Sequence, residues 1–381
     1  MARSKSKKLK VQSVIISIVL LIIILAGYFI YTKFFKPDPI DAKGEISFHF
    51  MMLGNKNAGD CVYVKAGEND ILIDAGSKEN SIDDIKNYID DYVTDGKLEY
   101  VIVTHAHEDH IAGFSKNDGS LFDLYECQTI IDFPRSESTS NIYSRYQSER
   151  DAEVTNGAKH YTALECWNNA NGAQRVYNLT EDGNIKLEIL YNYYYEHDAK
   201  DENDYSVCVQ FSHGDRKFIF TGDLEADGEE YLIEYNNLTQ VELYKAGHHG
   251  SASSTSAEFM AKIKPKACVV CCCAGCDEYR ADFYNVFPSQ TFINNIAPYT
   301  SKIYIPVMMD MVFVDHGNDP SDPSDDNYDN TGKEVEIMNG NVVIISDAEK
   351  GVYADCSNNN TILKDTEWFS EYRFWPTGGV A

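Results

Sequence analysis

Positive charge is what this chain most lacks. Its 381 residues carry 33 Lys and Arg against 60 Asp and Glu, a formal net charge of -27. A surface of that sign repels polyanions at long range, which excludes non-specific nucleic-acid binding through a basic patch. A polyanionic partner would need a locally positive site, and bound metal ions are one way to supply it. A second apolar run of membrane length is also missing, which excludes a multi-span channel. The single run, "VIISIVLLIIILAGYFIY" at 14–31, holds no charge. Only positive charges precede it in "MARSKSKKLK", and no A-x-A cleavage site follows it. A helix crossing a bilayer needs about 20 apolar residues, and the flanking charges put the N-terminus in the cytoplasm. The expectation is a single-pass protein of the cell membrane: cytoplasmic tail 1–12, transmembrane anchor 13–31, linker 32–44, and everything beyond extracellular.

Two familiar cation-binding patterns are absent as well. Five of the ten cysteines fall in "CVVCCCAGC", 268–276. Its two C-x-x-C pairs lie too close together for the knuckles of a zinc ribbon, so the reading is small apolar side chains filling a buried strand. The acidic stretch "DHGNDPSDPSDDNYDNTG", 315–332, lacks the EF-hand spacing and its terminal Glu, and reads as a flexible solvated loop.

What is present is a strand–helix rhythm. "EISFHF", "CVYVK" and "LEYVIVT" read as strands, with a turn at Gly67 and Asn69. Ile82, Ile85, Ile89 and Val93 are spaced for one helical face. Later, "YSVCVQF" and "KFIFTG" flank a tight turn, and "VELYKA" and "KACVVCC" are strands separated by helical segments. The pattern predicts an α/β layered domain over 45–305, sheets covered by helices. Residues 134–184 read as a helical insertion. An acidic loop and C-terminal extension fill 306–381, with a hairpin turning at Asn339-Gly340.

The chemistry concentrates in "THAHEDHIAG", directly after an apolar strand. Ligands of open α/β sheets gather at the carboxyl ends of strands. His105 and His107 alternate with Ala106, and Asp109 and His110 curl back toward them. Imidazole nitrogen and carboxylate oxygen are the ligands that zinc-like ions accept. Asp223 in "FIFTGD" lies just past another strand and can bridge two ions. Antiparallel pairing places Asp204, or Asn203, beside it. In "KAGHHGS", His248 and His249 end a third strand; one suits a ligand, the other a proton donor.

The set "THAHEDHIAG", "NDYSVCVQF", "KFIFTGD" and "KAGHHGSASSTSAEFMAKIKP" resembles the metallo-β-lactamase-fold hydrolases. Within them it is most similar to the extracellular ComEC-like domain of DNA-uptake proteins. The resemblance implies an αββα sandwich with a two-ion site where the sheets meet. It gives His105, His107 and Asp204 to the first ion, and Asp109, His110 and His249 to the second. Asp223 lies between the ions, His248 is the acid, and Asp109 counts among the catalytic groups. The ions implied are two divalent cations, zinc or in some nucleolytic relatives manganese. Two departures stand out. "MMLGNKNAGD" keeps Gly59-Asp60 but has Met52 near an expected Asp, and "NVFPS" has Phe287 where relatives carry a histidine before proline.

The function expected is an anchored hydrolase, a nuclease-like or cell-wall phosphodiesterase, in which a hydroxide between two ions attacks the ester. The substrate expected is a phosphoester, with nucleic acid admitted only at the metal site and no protein partner. The alternative is a non-catalytic metal-binding module of the same fold.

Overall fold

The computed structural model describes residues 16–27, 45–54, 56–276, 286–310, 313–314, 327–328 and 333–380. Its layering is set by alternation within one strand. β1 (Ile46–Phe50) is buried along its whole length, and successive side chains leave a strand on opposite faces. Phe48 points to a second sheet, its ring centroid 4.7 Å from that of Phe218 and 5.4 Å from that of Phe220. Ser47 and His49 point the other way, where His49 Nδ1 meets the Tyr88 hydroxyl at 2.8 Å on helix α1 (Ile82–Ile89). A helix therefore covers one face of the first sheet and the second sheet covers the other.

The first sheet continues through β2 (Val62–Ala66), β3 (Asn69–Ile73) and β4 (Lys97–Ile102) to β5 (Glu126–Asp132) and β6 (Lys159–Thr162). Between β4 and β5 lies the one-turn helix α2 (Glu108–Ile111), and between β5 and β6 helix α3 (Asn141–Asn156). The second sheet is built from β7 (Val176–Asn178), β8 (Ile185–Ile189), β9 (Val209–His213) and β10 (Arg216–Phe220), then β11 (Leu243–Lys245), β12 (Cys268–Val269) and β13 (Ile303–Tyr304). Its outer face is covered by α4 (Ala226–Tyr235), α5 (Ala257–Ile263) and α6 (Gln290–Ile296), whose Leu232, Phe259 and Phe292 share a core with Ile219 and Tyr244. β14 (Val342–Asp347) and β15 (Gly351–Cys356) return to the first sheet, giving the order β15-β14-β1-β2-β3-β4-β5-β6. The second sheet runs β13-β12-β11-β10-β9-β8-β7. The result is a mixed α/β fold of stacked sheets.

Three expectations change. Among the described residues no helix is long and apolar enough to cross a membrane. This overturns the single-pass membrane anchor and the extracellular placement that depended on it; the flanks 13–15 and 28–31 lie outside the described residues. The 134–184 segment is not purely helical, because β6 pairs in parallel with β5. No hairpin turns at Asn339-Gly340: Glu336 and Ile337 pair with Val307 and Met308, whereas β14 pairs with β1. Most of the acidic loop 315–332 lies outside the described residues. All ten cysteines are free thiols, and Cys268, Cys271, Cys272, Cys273 and Cys276 are buried.

Candidate metal centre

Strand ends place each motif residue. Just past β4, Thr104 is caught by Asp74, one residue beyond β3. Its N–H donates to Asp74 Oδ1 and its hydroxyl to Oδ2, both at 2.7 Å. His107 is the extended N-cap of α2, and that single turn brings Asp109 and His110 back against the strand ends. The close return requires glycine at 76, where a Cβ would lie 1.5 Å from the Asp109 carbonyl oxygen. From the second sheet, Asp223 follows β10, and its N–H donates to Ser206 Oγ at 3.0 Å. Past β11, His248 and His249 both adopt left-handed backbone, φ 44° and 52°. Such strain in consecutive non-glycine residues persists only where its surroundings over-determine it.

Asp109, His110, Asp223 and His249 converge, each offering a ligand atom within 4.8 Å of the others. His110 Nε2 and His249 Nε2 each lie 3.1 Å from Asp223 Oδ2, and His249 Nε2 lies 3.2 Å from Asp109 Oδ2. A tetrahedral ion with bonds of about 2.0–2.1 Å spaces its ligands about 3.3 Å apart, so these donors fit a zinc-like ion. Apart from its 3.1 Å approach to Asp223 Oδ2, His110 Nε2 is buried without a well-directed hydrogen bond, as an atom kept for a ligand would be. Its Nδ1 lies 2.8 Å from Asp74 Oδ2, the carboxylate–histidine arrangement that fixes a metal ligand's tautomer.

The electrostatics agree. Burial alone would push the His110 and His249 imidazoles down. Asp223 beside both, with Asp74 at His110 and Asp109 at His249, instead lifts them well above the usual histidine range. Burial would raise Asp223, but His110, His249 and Lys245 hold it well below the usual carboxylate range. His105 goes the other way, pushed down by burial and then by His110 and His107. Four carboxylates, Asp60, Asp74, Asp109 and Asp223, are buried here, and a divalent cation is the natural counter-charge.

The remaining expected residues are placed differently. His105 Nε2 and His107 Nδ1 lie 3.1 Å apart, but among the described residues no third His, Cys or carboxylate donor joins them within 4.8 Å. Asp204 is not brought there. The β9–β10 register pairs Val209 with Phe220, and continuing it puts Ser206, not Asp204, opposite Asp223. Asp204 sits earlier, in the 3-10 turn Glu202–Tyr205. There its Oδ1 accepts from Glu225 N at 3.1 Å, and burial pushes its carboxyl up to about 6. Asn203 donates through Nδ2 to Glu225 Oε1 at 3.4 Å. His248 stands beside the cluster, its Nδ1 3.0 Å from Ser253 Oγ and 3.3 Å from Glu225 Oε1.

Three residues of the centre were not singled out as site residues by sequence reasoning: Asp60, Asp74 and Lys245. Each carries a visible signal, a charge at or beside an apolar run, in "AGDCVYV", "ILIDAG" and "VELYKA". Lys245 ion-pairs with Asp60 Oδ2, and its Nζ lies 3.4 Å from Asp223 Oδ1. Phe287 packs its ring 5.9 Å from that of His249 and 6.0 Å from that of His248.

A family model described as "Metallo-beta-lactamase superfamily" matches residues 54–116, the span that contains Asp60, Asp74 and the histidine motif. Over this segment the chain is similar to the metallo-beta-lactamase superfamily. ComE operon protein 3 of Bacillus subtilis is 33% identical over 73 residues, 19% of this chain and 9% of that protein. Recombination protein 2 of Haemophilus influenzae is 29% identical over 69 residues, 18% of this chain and 8% of that one. The matches thus span less than a tenth of either curated relative. Among solved structures, the metallo-beta-lactamase fold protein YhfI from Bacillus subtilis aligns with a TM-score of 0.40 at 10% identity, covering 68% of this chain and 95% of that one. Members of the metallo-beta-lactamase superfamily are generally metal-dependent hydrolases.

Proposed function

We propose that the chain is a metal-dependent hydrolase of phosphodiesters, working with two divalent ions, zinc or manganese. The observation that carries the reading is the convergence of Asp109, His110, Asp223 and His249 within 4.8 Å. His105 and His107 are assigned to the other ion. Divalent ions there supply Lewis-acid polarisation of an ester and a water made acidic enough to act near neutral pH. The chain's own residues do the rest. Thr104 and Asp74 hold His110 in its tautomer. His248, fixed through Nδ1 by Ser253 and Glu225, presents Nε2 as a proton donor to the leaving group. Phe287 walls the histidines with an apolar face. The net charge of -27 disfavours a long polyanion elsewhere on the surface, so a nucleic acid would be engaged only at the metal centre.

The test is turnover of bis-p-nitrophenyl phosphate by the full chain with zinc or manganese. We expect His249→Ala to abolish both ion retention and turnover, and His107→Ala to lower the rate. A rate indifferent to His107→Ala would count against the assignment. The second reading, a metal-binding module without turnover, is favoured by one observation: apolar Phe287 where the resemblance places a histidine. Full ion occupancy with no turnover of any ester would decide for it.

A further inference from the structure

Of the lysines among the described residues, Lys245 alone is buried, 1% exposed. It ends β11, where its neighbour Tyr244 faces the helical layer, its ring 5.7 Å from that of Phe259. Lys245 points the opposite way, into the carboxylates. Its Nζ pairs with Asp60 Oδ2, donates to the Gly222 carbonyl at 3.1 Å and lies 3.4 Å from Asp223 Oδ1. Asp223 is thereby divided. Oδ1 faces the ammonium, and only Oδ2 faces His110 and His249, at 3.1 Å from each. Meanwhile, among the described residues, no third His, Cys or carboxylate donor joins the His105–His107 pair within 4.8 Å, and Asp204 accepts instead from Glu225 N.

We propose that Lys245 is a built-in cation that makes the two metal positions unequal. By taking Asp223 Oδ1 and Asp60, it leaves Asp223 one oxygen for ions. The set Asp109, His110, Asp223 and His249 keeps four donors and fills first. The position at His105 and His107 has only two imidazoles, Nε2 and Nδ1 3.1 Å apart, in the field of a fixed positive charge. Lys245 touches no substrate; it is a positioning residue for Asp223.

This inference rests on the metal-centre reading. Its test is binding stoichiometry, not turnover: the metal-free full chain titrated with zinc chloride and with manganese chloride by calorimetry, and ion content measured after dialysis. Wild type should bind in two steps separated by about tenfold or more, and His107→Ala should remove only the weaker. Lys245→Met should tighten the second step by about tenfold or more, since it removes a unit charge and frees Asp223 Oδ1. Loss of packing would weaken both steps instead. The double variant Asp60→Asn with Lys245→Met removes the buried pair together, which avoids stranding one charge, and should tighten the second step likewise. Two equal steps in wild type, loss of the tighter step in His107→Ala, or a second step unmoved or weakened in both Lys245 variants would overturn the inference. Failure to bind any ion would bring down the metal centre itself.

Discussion

At the scale of single residues, the centre depends on groups that never face substrate. Thr104 is the joint. Its N–H and hydroxyl both go to Asp74, and its oxygen lies 3.1 Å from His105 Nδ1 and 3.2 Å from His110 Nδ1. Groups that orient a metal ligand are typically worth about 10–100-fold in metal affinity. Thr104→Val, which keeps the shape and removes the hydroxyl, is therefore expected to weaken zinc binding by about 10–100-fold. Competition against a chelating dye would check it, with the melting temperature of the metal-free chain as control. The motif residues were legible because they are scarce side chains crowded after an apolar strand. Asp74 and Lys245 were less so, since a single charge at a strand end has many uses.

At the scale of elements, α4 holds the loop that carries His248 and His249. Glu229, fully buried, accepts from Thr255 N at 2.6 Å and Ser256 N at 2.7 Å. Ser256 Oγ in turn caps α5 by accepting from Phe259 N. Burial pushes the Glu229 carboxyl up to about 7 from an ordinary 4.5. A folded-state pKa raised in this way contributes stability that is complete below 4.5 and is lost as pH rises through about 7. Glu229→Gln removes that dependence but forfeits one acceptor, at a cost of about 1–3 kcal/mol. The variant should melt well below wild type at pH 5, and the gap should narrow by pH 8. A gap independent of pH, in melts followed by circular dichroism, would refute the assignment. The helix and strands that build this region follow from periodicity. The clamp between them does not, because it joins side chain to backbone across 26 residues.

For the whole molecule, the consequential feature is where the chain returns after residue 305. β14 pairs with β1 over five residue pairs, Ile46–Ser346 to Phe50–Val342. Ending the chain at residue 305 would leave β1 as an open sheet edge beside the inter-sheet core. An exposed apolar edge invites pairing with other chains. Residues 45–305 alone are expected to aggregate or to melt without a cooperative transition, although they contain every residue assigned to the centre. A soluble, cooperatively melting 45–305 fragment, measured by calorimetry and light scattering, would show that β14 is dispensable.

The sequence by itself determined the local vocabulary: the strands, the helix at Ile82–Ile89, and strand-end clusters rich in histidine and aspartate. Tertiary structure alone decided which members meet. It put Ser206 rather than Asp204 opposite Asp223, aimed Lys245 at a carboxylate, and laid 342–347 beside 46–50. The physical reason is that hydrophobic periodicity records which face of an element is buried. Partners are chosen by ladder register and sheet order, and a shift of two residues or a return from hundreds of residues away leaves no mark in the local pattern.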